Sequence, residues 1–286
     1  MRLITIAVLM PLATCGLTGI ERAAAQTGFP TRPIRFISPY GPGGGNDTMA
    51  RLLAQRLTER LGQQMIVDNR PGGNTMIGTD IVAKSKPDGH TLLFSGLNTF
   101  IINALLVQTP YDIARDFTPI AAVAGSETIM VVNTSLPANT LQELIALAKA
   151  RPGELNYATS SAGGAGHLVG ELFKMMAGVN IQHIPYKGSG QALTDVVGGQ
   201  IQISILSPVS TVPHIKAGRL RGIAISGDTR FPALPQVPTF AEGGLPGVDA
   251  KVVYGVLAAA RTPKTTADKL ASEIATIQRS TEFKEK

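Results

Sequence analysis

The chain has 286 residues, of which 44% are hydrophobic, 16% charged and 5% aromatic, with 31 Gly, 19 Pro and one Cys. That length gives one large domain or two ordinary ones around a buried core, and so little charge excludes a disordered chain or a coiled coil. One cysteine excludes a disulfide scaffold and a cysteine-built metal site, and the net charge of +6 is spread singly along the chain without aromatic interleaving, which argues against a nucleic-acid surface.

In chain order, Arg2, an apolar run from Leu3 to Ile20 and Ala23-Ala24-Ala25 have the charged, apolar and small-residue sequence of a secretory signal peptide. Residues 1–25 are expected to be removed after Ala25, leaving an exported, periplasmic protein without cysteine. A lipobox reading of Leu12-Ala13-Thr14-Cys15 ranks second, because Thr14 stands where a Gly or Ala is usual. Strand Ile34–Ser38 is followed by the turn Pro39 to Gly45 and a helix over Asp47–Leu61. Met49, Leu53, Leu57 and Leu61 recur every four residues in it, and Gly62 stops it. Gln64–Asp68 and Thr91–Ser95 read as further strands.

The rhythm restarts at Thr128. Strand Ile129–Val132 precedes a helix opened by Thr140 with Glu143 three residues on, a capping-box spacing, and closed by Arg151-Pro152-Gly153. Strand Leu155–Thr159, helix His167–Ala177, strand Ile181–Ile184, helix Gln191–Val197, strand Ile201–Leu206, helix Val209–Ala217 and strand Leu220–Ser226 follow. Strands alternating with short helices predict an α/β protein with two largely parallel sheets, which bind ligands at the carboxyl ends of their strands.

Two glycine-rich loops stand at such ends: Tyr40 to Asp47, and Thr159 to Gly166 before a helix at His167. Glycines let a ligand approach the backbone, and a helix amino terminus offers free N–H groups, so each loop is a candidate anion seat. Neither ends in the Gly-Lys-Ser/Thr of a nucleotide P-loop. Gly41-x-Gly43-x-x-Asn46 lacks the third glycine of a dinucleotide fingerprint, and Gly170 falls one position late after Gly164 and Gly166. His90, His167, His183 and His214 lack metal-ligand spacing. His167 caps or packs at its helix start, or faces the ligand. Gly188-Ser189-Gly190 lacks the flanks of a nucleophile elbow. No cofactor is expected.

Pro39-Tyr40-x-x-Gly43-Gly44-x-x-Asp47-x-x-Ala50-Arg51 resembles the P-[FY]-x-x-G-G-x-x-D-x-x-A-R signature of the Bug family, the periplasmic solute-binding proteins of tripartite tricarboxylate transporters. The likeness continues through Asp68-Asn69-Arg70-Pro71-Gly72, Lys86-Pro87-Asp88-Gly89-His90-Thr91-Leu92-Leu93, His183-Ile184-Pro185-Tyr186-Lys187-Gly188 and Leu234-Pro235-x-Val237-Pro238-Thr239-Phe240. The resemblance implies a type II periplasmic-binding fold: two α/β lobes joined by two crossover strands, with lobe 1 at 26–126 plus 252–286 and lobe 2 at 127–251. It implies a monomeric receptor that takes a small carboxylate and hands it to a membrane permease, and a further helix and strand beyond Lys286. Tyr40, Gly43, Gly44 and Asp47 from the first loop, Thr159, Ser160, Ala162, Gly163 and His167 from the second, and Ser207 are the expected ligand-binding residues, with Asp47 fixing its loop rather than meeting an anion. A secreted hydrolase, or a sensor acting on a signalling partner, are the alternatives.

Three departures bear on the ligand. Leu206 stands where the family often has Asp, Val253 near a position often Trp, and the second loop carries Ser161 and Gly164 in a spacing unlike the family's. If Leu206 and Val253 line the cleft, a monocarboxylate or aromatic acid is expected over citrate or malate, since an unpartnered second carboxylate costs several kcal/mol to desolvate.

Overall fold

The computed structural model describes residues 28–280, so the expected signal peptide, its cleavage after Ala25 and the lipobox at Cys15 lie outside the described residues. The first half runs β1 (Ile34–Ser38), α1 (Gly45–Leu61), β2 (Met65–Asn69), α2 (Met76–Ala83), β3 (Thr91–Gly96), α3 (Leu97–Leu106) and β4 (Phe117–Ser126). The second runs β5 (Ile129–Asn133), α4 (Leu141–Ala150), β6 (Asn156–Thr159), α5 (Ala165–Ala177), β7 (Gln182–Pro185), α6 (Ser189–Val197), β8 (Ile203–Leu206), α7 (Pro208–Lys216) and β9 (Leu220–Ile225). The chain then returns to the first sheet as β10 (Val252–Ala259) and continues into α8 (Lys264–Arg279).

The two sheets share one topology. Their orders are β2-β1-β3-β10-β4 and β7-β6-β8-β5-β9. In each, three parallel strands are followed by one reversed strand: β10 is antiparallel to β3 and β4, and β5 to β8 and β9. The expectation of largely parallel sheets is thereby corrected to mixed ones. Both reversed strands are those that enter a sheet just after the chain has crossed from the other, and arriving from that side dictates their direction.

Each sheet is covered on both faces, so its strands read as apolar runs rather than alternations. In β5, Met130 and Val132 face one core with Leu144, Tyr157, Phe173 and Ile203, while Ile129 and Val131 face the other with Leu193, Val196 and Leu220. In the first sheet, Ile34 and Phe36 pack with Leu53 and Leu57 of α1 and Leu270 and Ile274 of α8. Ile37 and Leu93 face Val82, Phe100 and Phe117. Burying a Leu, Ile or Phe side chain fully contributes roughly 1.5–3 kcal/mol, so the apolar spacing of α1 fixes both its helicity and the face it presents.

Helix ends follow local chemistry. Gly62, at φ 68°, ends α1 in the left-handed conformation and donates its N–H to the Thr58 carbonyl. Thr140 caps α4 by accepting the Glu143 N–H at 3.2 Å, while the Glu143 carboxylate reaches back to the Asn139 N–H at 2.7 Å, one residue earlier than the usual box.

Candidate functional site

The carboxyl ends of the strands in both sheets open toward each other, and the helices that follow begin there. Gly44 and Asn46 at the start of α1, Asn98 and Thr99 of α3, Gly164 to Gly166 of α5, Ser189 of α6 and Ser207 before α7 line one small cavity of about 40 Å³. None of these five helices has its first turn capped by its own N-cap side chain. The first N–H groups of a helix have no intrahelical partner and carry a partial positive charge. Five such termini around one space make a seat for an anion. The rest of the wall includes Tyr40, Thr128, Ser160, Ser161, Tyr254 and the apolar Ile205, Leu206 and Val252. A wider chamber of about 210 Å³ adjoins it, sharing Tyr40, Ser160 and Ser161 and bounded by Gly72 to Thr75, Ala162 and Pro185 to Lys187.

So small a central space reflects lobes in contact. The Gly41 N–H donates to the Lys187 carbonyl at 2.7 Å, the Thr99 and Ser161 hydroxyls meet at 3.0 Å, and Ser126 and Ser207 hydroxyls at 3.4 Å. Gly44 lies so close to Ser189 that an added Cβ would sit 3.0 Å from its backbone nitrogen. Burial raises the Tyr40 phenol above its ordinary value, an effect eased by the Thr99, Ser95 and Ser161 hydroxyls and the Gly96 backbone. Tyr254 is pushed up to about 12 by burial, with Ser207 partly offsetting it. Both phenols therefore stay neutral and can donate to an anion.

Of the ten residues expected at the ligand, Tyr40, Gly44, Ser160 and Ser207 line the central cavity and Ala162 the adjoining one. Gly43, Asp47, Thr159, Gly163 and His167 stand behind the wall and hold it. The Gly43 N–H donates to Asp47 Oδ2 at 3.0 Å, and the same carboxylate takes Arg51 Nε at 3.1 Å, Arg51 Nη2 at 3.0 Å and Asn69 Nδ2 at 2.9 Å. Burial alone would raise the Asp47 carboxyl; the bonds from Arg51, Gly43 and Asn69 outweigh it and hold it below its ordinary value. Asp47 thus ties its loop to the start of α1 and to Asn69.

The second loop is pinned differently. The Gly163 N–H donates to His167 Nδ1 at 3.0 Å, and the His167 ring stacks on His183 with centroids 4.0 Å apart. The Thr159 hydroxyl donates to the Ser161 carbonyl at 2.9 Å, so His183 Nε2, 2.7 Å away, donates to Thr159 Oγ1. Burial lowers both imidazoles, His183 to about 4, with His167 adding to the effect on His183. Thr159 and His183 have the contact of a nucleophile and its base, but the hydroxyl proton is committed to a carbonyl and Thr159 is only 1% exposed. Among the described residues, no group of three His, Cys, Asp or Glu could hold a metal ion.

Leu206 lines the cavity, whereas Val253 does not: it is 37% exposed, and its neighbours Val252 and Tyr254 form the wall. The strand alternation of β10 turns Val253 away. Sequence reasoning missed Asn98, Thr99, Thr128, Ser189 and Tyr254. Ser189 follows Gly188 at a helix start, and that position, not an elbow spacing, was its signal.

Known proteins resemble this chain in sequence and fold. The profile of the family described as "Tripartite tricarboxylate transporter family receptor" matches residues 49–286. The protein BugT of Bordetella pertussis is 40% identical over 254 residues, covering 88% of this chain and 77% of its own. Among solved structures, a protein of R. palustris with adipate is 35% identical at a TM-score of 0.84, over 90% of this chain and 86% of its own. MatC of Rhodopseudomonas palustris with bound malate is 28% identical at the same TM-score, over 90% and 87%. The fold is that of the periplasmic binding proteins, with two α/β lobes joined by two crossover strands. The chain belongs to the tripartite tricarboxylate transporter receptor family, the Bug family of periplasmic solute-binding proteins.

Proposed function

We propose that this protein captures a small carboxylate between its lobes and delivers it, as a monomer and without chemical change, to the membrane permease of a tripartite tricarboxylate-type transporter. The lobes are residues 26–126 with 252–286, and 127–251. The observation that carries the reading is the convergence of five helix amino termini, none capped by its own N-cap side chain, on one cavity. A carboxylate seated there takes backbone N–H groups and the Tyr40, Tyr254, Ser160, Ser161 and Ser207 hydroxyls. Hydrogen bonds to a charged group contribute roughly 1.5–3 kcal/mol each, so two or three support micromolar binding. Gly43, Asp47, Thr159, Gly163 and His167 hold the loops, and Ala162 borders the adjoining chamber.

The exposure of Val253 removes half of the argument for a monocarboxylate, and Leu206 with Ile205 and Val252 retains the other half. The ligand is accordingly an acid with one carboxylate among the helix termini and an apolar or aromatic body, preferred over citrate or malate. The two related structures were solved with adipate and malate. A thermal-shift screen of mono-, di- and tricarboxylates, with aromatic acids, adipate, malate and citrate included, tests this. A melting shift with the compound recovered unchanged is expected. Turnover of an ester or amide with no shift from any acid would favour the hydrolase alternative.

A further inference from the structure

The segment between β2 and α2 has a backbone that the ligand site does not explain. Gly72, Gly73, Asn74 and Thr75 follow one another at φ 127°, 54°, 50° and 76°. Glycine adopts such angles freely and asparagine tolerates them, but a β-branched threonine there is an outlier. Thr75 is held nonetheless: it is 3% exposed, and Asn103 of α3 donates to its hydroxyl at 3.2 Å and to the Asn74 carbonyl at 2.6 Å.

That turn delivers the Asn74 side chain across the cleft. Asn74 Oδ1 accepts the Ala162 N–H at 3.1 Å, and Asn74 Nδ2 donates to the Ala162 carbonyl at 3.0 Å and to Asn103 Oδ1 at 2.7 Å. Ala162 belongs to the second glycine loop, between Ser161, which lines the cavity, and Gly163, which is tied to His167. One side-chain amide thus pairs with both backbone groups of a residue in the other lobe, as a neighbouring strand would. Backbone polarity fixes which way the amide lies, because the Ala162 carbonyl can only accept.

We propose that Asn74 is a positioning residue that latches the second glycine loop onto the first lobe when the cleft closes, acting on the ligand through Ala162. The strained turn is the cost of aiming it, and the Asn103 amide is its brace. Closing around the ligand then does two things at once: it shuts the cleft and sets the Ser160–Gly163 backbone in register. This rests on reading the cleft as a ligand site, but the Asn74–Ala162 contact can be measured by itself.

The test uses the full chain free of ligand. Asn74→Gly removes the amide without adding strain, since glycine adopts φ 50° freely. Asn74→Asp keeps the shape but sets a carboxylate against the Ala162 carbonyl and Asn103 Oδ1. Hydrogen exchange at the Ala162 amide should quicken by about 10-fold in both variants, while the first turns of α1 and α5 exchange as before. Spin labels at Leu105→Cys and Met175→Cys, both strongly exposed positions in opposite lobes, should show a broader, more open distance distribution in each variant. Wild-type exchange at Ala162 together with an unchanged distribution in both variants would overturn the latch. Failure of every carboxylate to shift the wild-type melting temperature, with the Ala162 result intact, would remove the ligand reading and leave the latch standing.

Discussion

The two glycine loops are built on one plan and pinned by different chemistry. Each has a left-handed glycine, Gly43 at φ 78° and Gly163 at φ 69°, then a glycine N-cap, Gly44 or Gly164. In each, the third helical residue accepts the left-handed glycine's N–H: Asp47 from Gly43 and His167 from Gly163, both at 3.0 Å. The first acceptor is a carboxylate tied by Arg51 and Asn69. The second is a neutral imidazole stacked on another. The contrast teaches that a glycine loop at a helix start can be held by a buried carboxylate when that charge is neutralised locally, and that the same geometry can be held without any charge.

The largest way to separate the loops lies at their second helical residue, Asn46 in one and Gly166 in the other. A Cβ on Gly166 would fall 2.3 Å from the Ile205 carbonyl oxygen. Gly166→Ala should therefore destabilise by about 3 kcal/mol in urea melts. Asn46→Ala, which loses bonds to Ser38 Oγ and the Phe94 carbonyl, should cost about 1–2. Equal losses would mean that the loops do not differ in packing.

Next come the acceptors themselves. Asp47→Ala surrenders the bonds from Gly43, Asn69 and the charged Arg51, so about 2 kcal/mol is expected, against about 1 for His167→Ala and its single bond from Gly163. Urea midpoints in the reverse order would break the comparison. The N-cap glycines differ more in binding than in stability. A Cβ on Gly44 would press on the Ser189 backbone of the other lobe, whereas one on Gly164 would meet the Ser161 hydroxyl at 2.6 Å, which can turn. Gly44→Ala should weaken an acid found in the screen by about 10-fold with little change in melting; Gly164→Ala should weaken it less.

A further separation of the loops is in pH. His183 titrates near 4 in the fold instead of at its ordinary 6.5, and His167 is lowered as well. Between those values the unfolded chain binds more protons, so stability from this pair is full above about 6.5 and is lost as pH falls toward 4. Asp47, below its ordinary 3.8, holds its loop until still lower pH. Melting curves from pH 7 to 4 should fall, and His183→Gln should flatten them; an unchanged slope in that variant would assign the loss elsewhere.

Regular packing was legible in the sequence. The β1 strand was placed at its observed bounds, and α1 and α4 were read from a four-residue apolar repeat and from Thr140 with Glu143. The β4 strand escaped notice because Pro119 and its run of Ala and Gly carry no strand preference; β10 creates it by pairing along its length. For the same reason α2 and α3, whose outer faces keep Ile77, Ile101 and Leu105 exposed, show no clean polar face to read. At the site, the glycine loops were visible, but Thr99, Ser189 and Tyr254 are brought together only by the meeting of two sheets.

The position of β10 also sets an order of assembly. Among the described residues, every strand of the second sheet lies in one continuous stretch, from β5 to β9, whereas β4 pairs with no strand except β10. A chain emerging from its amino terminus can therefore complete the second sheet while β4 still has a bare edge, and the first sheet waits for residues 252–259. Pulse-labelled amides of β5 and β8 should be protected before those of β4. Until β10 is made, the half of the protein that was synthesised first is the half that is still unfinished.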